Sequence, residues 1–114
     1  MEILNKNITV ADLREMADHL FGNLVKAVVD VQCGSMAVDA ELHADEESLL
    51  LEHGSRQEDL WGINLYPEFG KNSEEFIEFD SMINLRPSQN NRSRGVDDPA
   101  IRKKIADIVH RWIT

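Results

Sequence analysis

Cysteine is nearly absent. Cys33 stands alone among 114 residues, which excludes an intrachain disulfide and any multi-cysteine zinc site and suits a reducing compartment. Long apolar runs are missing as well. No stretch approaches the ~18 residues needed to span a bilayer, so no membrane association is expected. The opening Met1-Glu2-Ile3-Leu4-Asn5 has neither the basic nor the apolar region of a signal peptide, and a cytoplasmic location is the expectation. Positive charge is scarce: 12 basic against 21 acidic residues give a net charge of −9, so the protein as a whole should repel nucleic-acid phosphates and anionic lipid. The chain has no phosphate-binding glycine loop and no hydrolase serine elbow, and no cofactor is expected.

What is present suffices for one folded unit. A length of 114 residues with 42% hydrophobic and 29% charged residues is ordinary globular usage, and a single domain over 1–114 is the reading. Thr9 with Asp12 three residues later starts a helix over about residues 9–21, which Gly22 and Asn23 end. The valine-rich run 25–32 and the alternating run 36–42 flank a Cys33-Gly34-Ser35 turn and predict a hairpin. Asp45 is placed as the cap of a short second helix over 46–53, closed by Gly54.

Leu60 to Tyr66 reads as a third strand stopped by Pro67, and Phe76 to Arg86 as a long alternating fourth. Pro99 after Asp97 and Asp98, followed by Ile101, Ile105, Ile108, Val109, Trp112 and Ile113, predicts a strongly amphipathic last helix. The fold class is therefore α+β: a mostly antiparallel four-stranded sheet in the order α-β-β-α-β-β-α, with helices packed on one face.

Alternation assigns faces. Lys26, Asp30 and Gln32, then Asp39, Glu41 and His43, then Asn64 and Tyr66, and finally Glu78, Asp80, Asn84 and Arg86 share one polar side of that sheet. This side is either a solvated surface or a place where carboxylates converge with His43, Tyr66 and Arg86. No metal is predicted; Asp39, Glu41 and His43 are the candidates for metal ligation or acid–base catalysis, because alternate residues on a strand project side by side, although any alternating polar strand gives the same spacing. Arg86, Arg92 and Arg94 lie in a segment without acids just before a helix start and are the candidate anion-binding residues. Against this, their guanidinium groups can equally pair with the domain's own carboxylates. Cys33 could act as a thiol nucleophile with His43 as its base, or fill a turn with no chemical role.

Val25 to Val31, Glu41 to Asp45, Gln57 to Asn64 and Ile77 to Gly95 resemble a small family of uncharacterised prokaryotic proteins, a domain of unknown function. The resemblance implies a stand-alone domain and carries over no catalytic or binding residue. Two functions stay open. One is a non-catalytic interaction domain that self-associates as a homo-oligomer, with no catalytic motif to contradict it. The other is an enzyme acting on a small anionic substrate, which requires the polar strand face and the arginine loop to share a cleft.

Overall fold

The computed structural model describes residues 1–114. Its elements, in chain order, are β1 (Glu2–Ile3), α1 (Val10–His19), β2 (Val25–Asp30), β3 (Met36–Val38), α2 (His43–Glu52), β4 (Leu60–Leu65), β5 (Ile77–Glu78) and α3 (Pro99–Trp112). The strands form one antiparallel sheet in the order β1-β3-β2-β4-β5. The α+β class and the antiparallel sheet match the expectation. The sheet has five strands rather than four, because Glu2 and Ile3 pair with Val38 and Ala37 at its edge.

The helix signals act as their chemistry dictates. Thr9 and Asp12 cap α1 reciprocally, each side chain accepting the other's backbone N–H. Asp98 accepts from the Ala100 N–H at 2.8 Å, with Pro99 as the first residue of α3. Asp45 does not cap α2. That helix starts three residues earlier than expected, at His43, with Leu42 before it offering no side-chain cap.

Helices lie on both faces of the sheet, which corrects the one-sided arrangement. Leu13 and Ala17 of α1 and Ile105, Ile108 and Val109 of α3 pack on Val25, Ala27 and Val29 of β2 and Ile63 and Leu65 of β4. On the other face Leu50 of α2 packs on Val28, Ala37 and Leu60. Val28 and Ala37 share the parity of Lys26, so the side read as polar has an apolar centre, and α2 covers it.

The run from Phe76 to Arg86 is not one long strand. Only Ile77–Glu78 joins the sheet as a strand, opposite Asn64 and Leu65; Met82–Asn84 then forms a 3₁₀ turn. Side chains complete the β4 edge instead. The Asn84 amide accepts from the Gly62 N–H at 2.9 Å and donates to the Gly62 carbonyl at 3.0 Å, as a neighbouring strand residue would. Arg86 caps the next outward carbonyl, that of Leu60. Gly62 makes room for this crossing: a Cβ there would lie 2.5 Å from the Cβ of Ser81.

Candidate functional site

α2 covers only part of its face, leaving a row of polar residues at one end. Lys26 of β2 is the cross-strand partner of Asn64 in β4, which is the partner of Glu78 in β5. Such neighbours stand about 5 Å apart. Above this row the first residue of α2, His43, and the turn at 80–83 enclose a cleft of about 200 Å³, lined by Lys26, Leu42, His43, Asn64, Asp80 and Arg94 among others.

Each wall has a local cause. Val38 ends β3, and Asp39 adopts a left-handed φ of 70°, which breaks the period-two alternation and lets His43 begin a helix instead of extending a strand. The buried His43 ring donates from Nε2 to the Ile63 carbonyl at 2.8 Å. That bond selects the tautomer and leaves Nδ1 as the lone-pair nitrogen. Burial is the main influence on its pKa and pulls it below the ordinary histidine value, so the ring is neutral at neutral pH.

Asn64 is only 7% exposed. Its amide nitrogen donates to Glu78 Oε1 at 2.8 Å and to the Asp80 carbonyl at 3.4 Å, which fixes the amide's orientation. Its Oδ1 has no hydrogen-bond partner, although buried acceptors are almost always matched. Glu78 Oε1 also accepts from the Tyr66 hydroxyl at 2.9 Å. Burial and this carboxylate push the Tyr66 pKa up to about 12, keeping the phenol protonated and donating.

The arginine loop reaches the cleft through Arg94. Its carbonyl accepts from the Ser81 N–H and the Asn84 amide, both at 2.9 Å. Asn91 donates to the carbonyls of Asn84, Ser93 and Gly95. Asp97 accepts from the Arg92 N–H and the Ser93 hydroxyl. With its backbone held at these points, Arg94 donates from Nε to Asp80 Oδ1 at 2.7 Å.

The predicted site residues are thus divided. His43 and Arg94 meet in the cleft with Asp80 and Asn64 of the polar face. Asp39 instead borders a different hollow with Glu2 and Lys6, and Glu41 is exposed on the connection before α2. The projected Asp39-Glu41-His43 strand row does not exist, and no three His, Cys, Asp or Glu side chains gather with metal-ligand spacing.

Arg86 is buried against the face of Trp61, 4.8 Å from the ring centroid, with Glu47 at 3.6 Å and the Ile83 and Leu60 carbonyls as acceptors. It pins the sheet edge and does not join Arg94. Arg92 is exposed and does not line the cleft. Cys33 lines another hollow with Asp30, Ser35, His53 and Arg56, whose residues do not include His43. That separates the thiol from the base paired with it by sequence.

Sequence reasoning missed two further features. Lys26 carried no role, yet it lines the cleft with no carboxylate within ion-pair distance and its ammonium 5.1 Å from the Phe21 ring centroid. Glu46, an acidic residue in the first turns of α2, is wholly buried, with Oε2 accepting from the Ala40 N–H at 3.1 Å. Burial raises its pKa to about 9, so it is protonated at neutral pH.

Fold and cleft together define a small α+β domain in which one antiparallel sheet carries a polar hollow on its partly covered face. Residues 2–112 match the model of the family described as protein of unknown function (DUF5674), and the chain belongs to that family. No curated protein and no solved structure is significantly similar to it. No helix is long and apolar enough to cross a membrane.

Proposed function

We propose that this domain binds a small metabolite through an anionic head group in the cleft between His43 and the turn at 80–83. The observation that carries this reading is the arrival of Arg94 at Asp80, 2.7 Å away, on the same cleft as Lys26, His43 and Asn64. One carboxylate of the polar face, Asp80, and one arginine of the loop, Arg94, border the same space, which supports this reading. Lys26 and the outer nitrogens of Arg94 supply positive charge for an anionic head, while neutral His43 offers a lone pair suited to accepting a proton. A thermal-shift screen against small carboxylates and phosphorylated metabolites tests the reading, since a ligand of the native state raises the melting temperature. Binding should give a concentration-dependent rise that Lys26→Gln and Arg94→Gln abolish. A rise undiminished in both variants would place binding elsewhere.

Self-association is the second reading. Leu42 and Met82, 56% and 63% exposed, flank the same cleft, and apolar side chains in such positions suit a contact between copies. Sedimentation of the wild type and of Met82→Lys separates the readings: dimers that the substitution dissolves support the second, and monomers at all concentrations oppose it.

A further inference from the structure

Resting on that cleft as the binding site, we infer that its ligand is zwitterionic, carrying an ammonium group beside a carboxylate as a free α-amino acid does. The unmatched hydrogen-bonding groups of the cleft carry this inference. They are of two opposite kinds, and a ligand with a single anionic head answers only one of them.

The first kind is acceptors. Asn64 Oδ1 is buried and unpartnered because both acceptors of its amide nitrogen, Glu78 and the Asp80 carbonyl, lie on the 78–80 segment. Asp80 pairs one carboxylate oxygen with Arg94 and keeps the other. His43 gives its N–H to Ile63 and presents only a lone pair at its second nitrogen. All three line the one cleft, and an ammonium group brings three donors and a positive charge. A ligand that is only an anion would meet two lone pairs and a carboxylate, none of which can donate to it at neutral pH.

The second kind is cations. Lys26 has no carboxylate within ion-pair distance in a protein of net charge −9, and only the Phe21 ring lies under its ammonium. Arg94 is bound to Asp80 through Nε, leaving its terminal nitrogens for a bidentate partner. A carboxylate placed there uses these donors while the ammonium turns to Asn64 and Asp80. Leu42 and Met82 at the rim suit a short aliphatic side chain, and about 200 Å³ suits a molecule of amino-acid size. Lys26, Arg94 and Asp80 face this space with two positive charges and one negative, and Glu78 behind Asn64 brings the sum to zero, as suits a ligand of zero net charge.

The test compares three probes of one shape: L-leucine, 4-methylpentanoate and 3-methylbutylamine. Each is titrated into isotopically labelled protein while the Asn64 side-chain amide and the Arg94 Nε–H are followed by NMR. Leucine should shift both signals and bind at least about tenfold more tightly than either single-headed analogue, since each analogue leaves charged groups unmatched. In Asp80→Asn the preference for leucine over 4-methylpentanoate should shrink, and Lys26→Gln should abolish binding of both. If 4-methylpentanoate binds as tightly as leucine, the zwitterion inference fails while the anion-binding reading stands. If leucine binds without moving the Asn64 amide, or keeps its full preference in Asp80→Asn, the inference fails too. If none of the three shifts either signal, the inference fails, and the carboxylate and phosphate screen then decides the anion-binding reading separately.

Discussion

Asp80 Oδ1 accepts from Arg94 Nε at 2.7 Å, and this contact joins two segments 14 residues apart in sequence into the wall of one cleft. The pair is about half exposed, its side chains retaining 55% and 41% of their accessibility, so as a salt bridge it adds little stability. Its importance is positional. Arg94→Gln should leave the melting temperature within about 2 °C of wild type, the scale of a surface substitution, while abolishing any ligand-induced rise. A large loss of stability in the free protein would instead make Arg94 a structural residue.

Asn84 stands in for a strand, and its loss should be costly. Asn84→Ala removes both partners of the buried Gly62 N–H and carbonyl and one donor to the Arg94 carbonyl. Each unsatisfied buried group costs ~1–3 kcal/mol, so chemical denaturation should show a loss of about 2–4 kcal/mol. A loss below about 1 kcal/mol would mean that the side-chain edge is not needed to complete the sheet.

Gly62→Ala should also destabilise, because the new Cβ would fall 2.5 Å from Ser81 Cβ and 3.2 Å from Ile83 Cγ1. Overpacking of this kind costs ~1–3 kcal/mol. Adding Ser81→Gly should recover part of the loss, a coupling that denaturation of the two single variants and the double variant would measure. Strict additivity would contradict the contact.

Two buried groups give opposite pH dependences. The pKa of Glu46 rises on folding from 4.5 to about 9. Its contribution is therefore complete below pH 4.5 and is lost as pH climbs toward 9, at up to ~1.4 kcal/mol per pH unit. Glu46→Gln keeps an acceptor for the Ala40 N–H and should raise the melting temperature at pH 8 more than at pH 5. His43 goes the other way: burial lowers its pKa below 6.5, so its contribution is complete above pH 6.5 and is lost as pH falls below that value. His43→Gln should flatten that acid limb. Unchanged pH–stability curves in both variants would overturn these assignments.

Parts of the fold and site were readable from the sequence because the signals are local. The Thr9–Asp12 capping box, the Asp98–Pro99 helix start and the hairpin around Gly34 each depend on a few adjacent residues. The rest was hidden by what alternation does not record. Phe76 to Arg86 alternates well enough for a strand, yet Asn84 and Arg86 spend their side chains on the β4 edge while the backbone turns away. Asp39, with its positive φ, disconnects His43 from the strand before it. Glu46 and His43 look like surface residues but are buried in neutral form, so the face they mark as polar is the one α2 covers. Arg94 borders the cleft from a loop that its composition already marks, whereas Lys26 is legible only as a strand residue until its register opposite Asn64 is known.

The most direct test of the cleft is a ligand-bound structure, or the NMR titration with L-leucine, read at Asn64 and Arg94. Binding should shift the Asn64 side-chain amide and the Arg94 Nε–H together, with both responses lost in Lys26→Gln. Binding that moves neither, or that centres on the hollow beside Cys33, would contradict the cleft as the binding site.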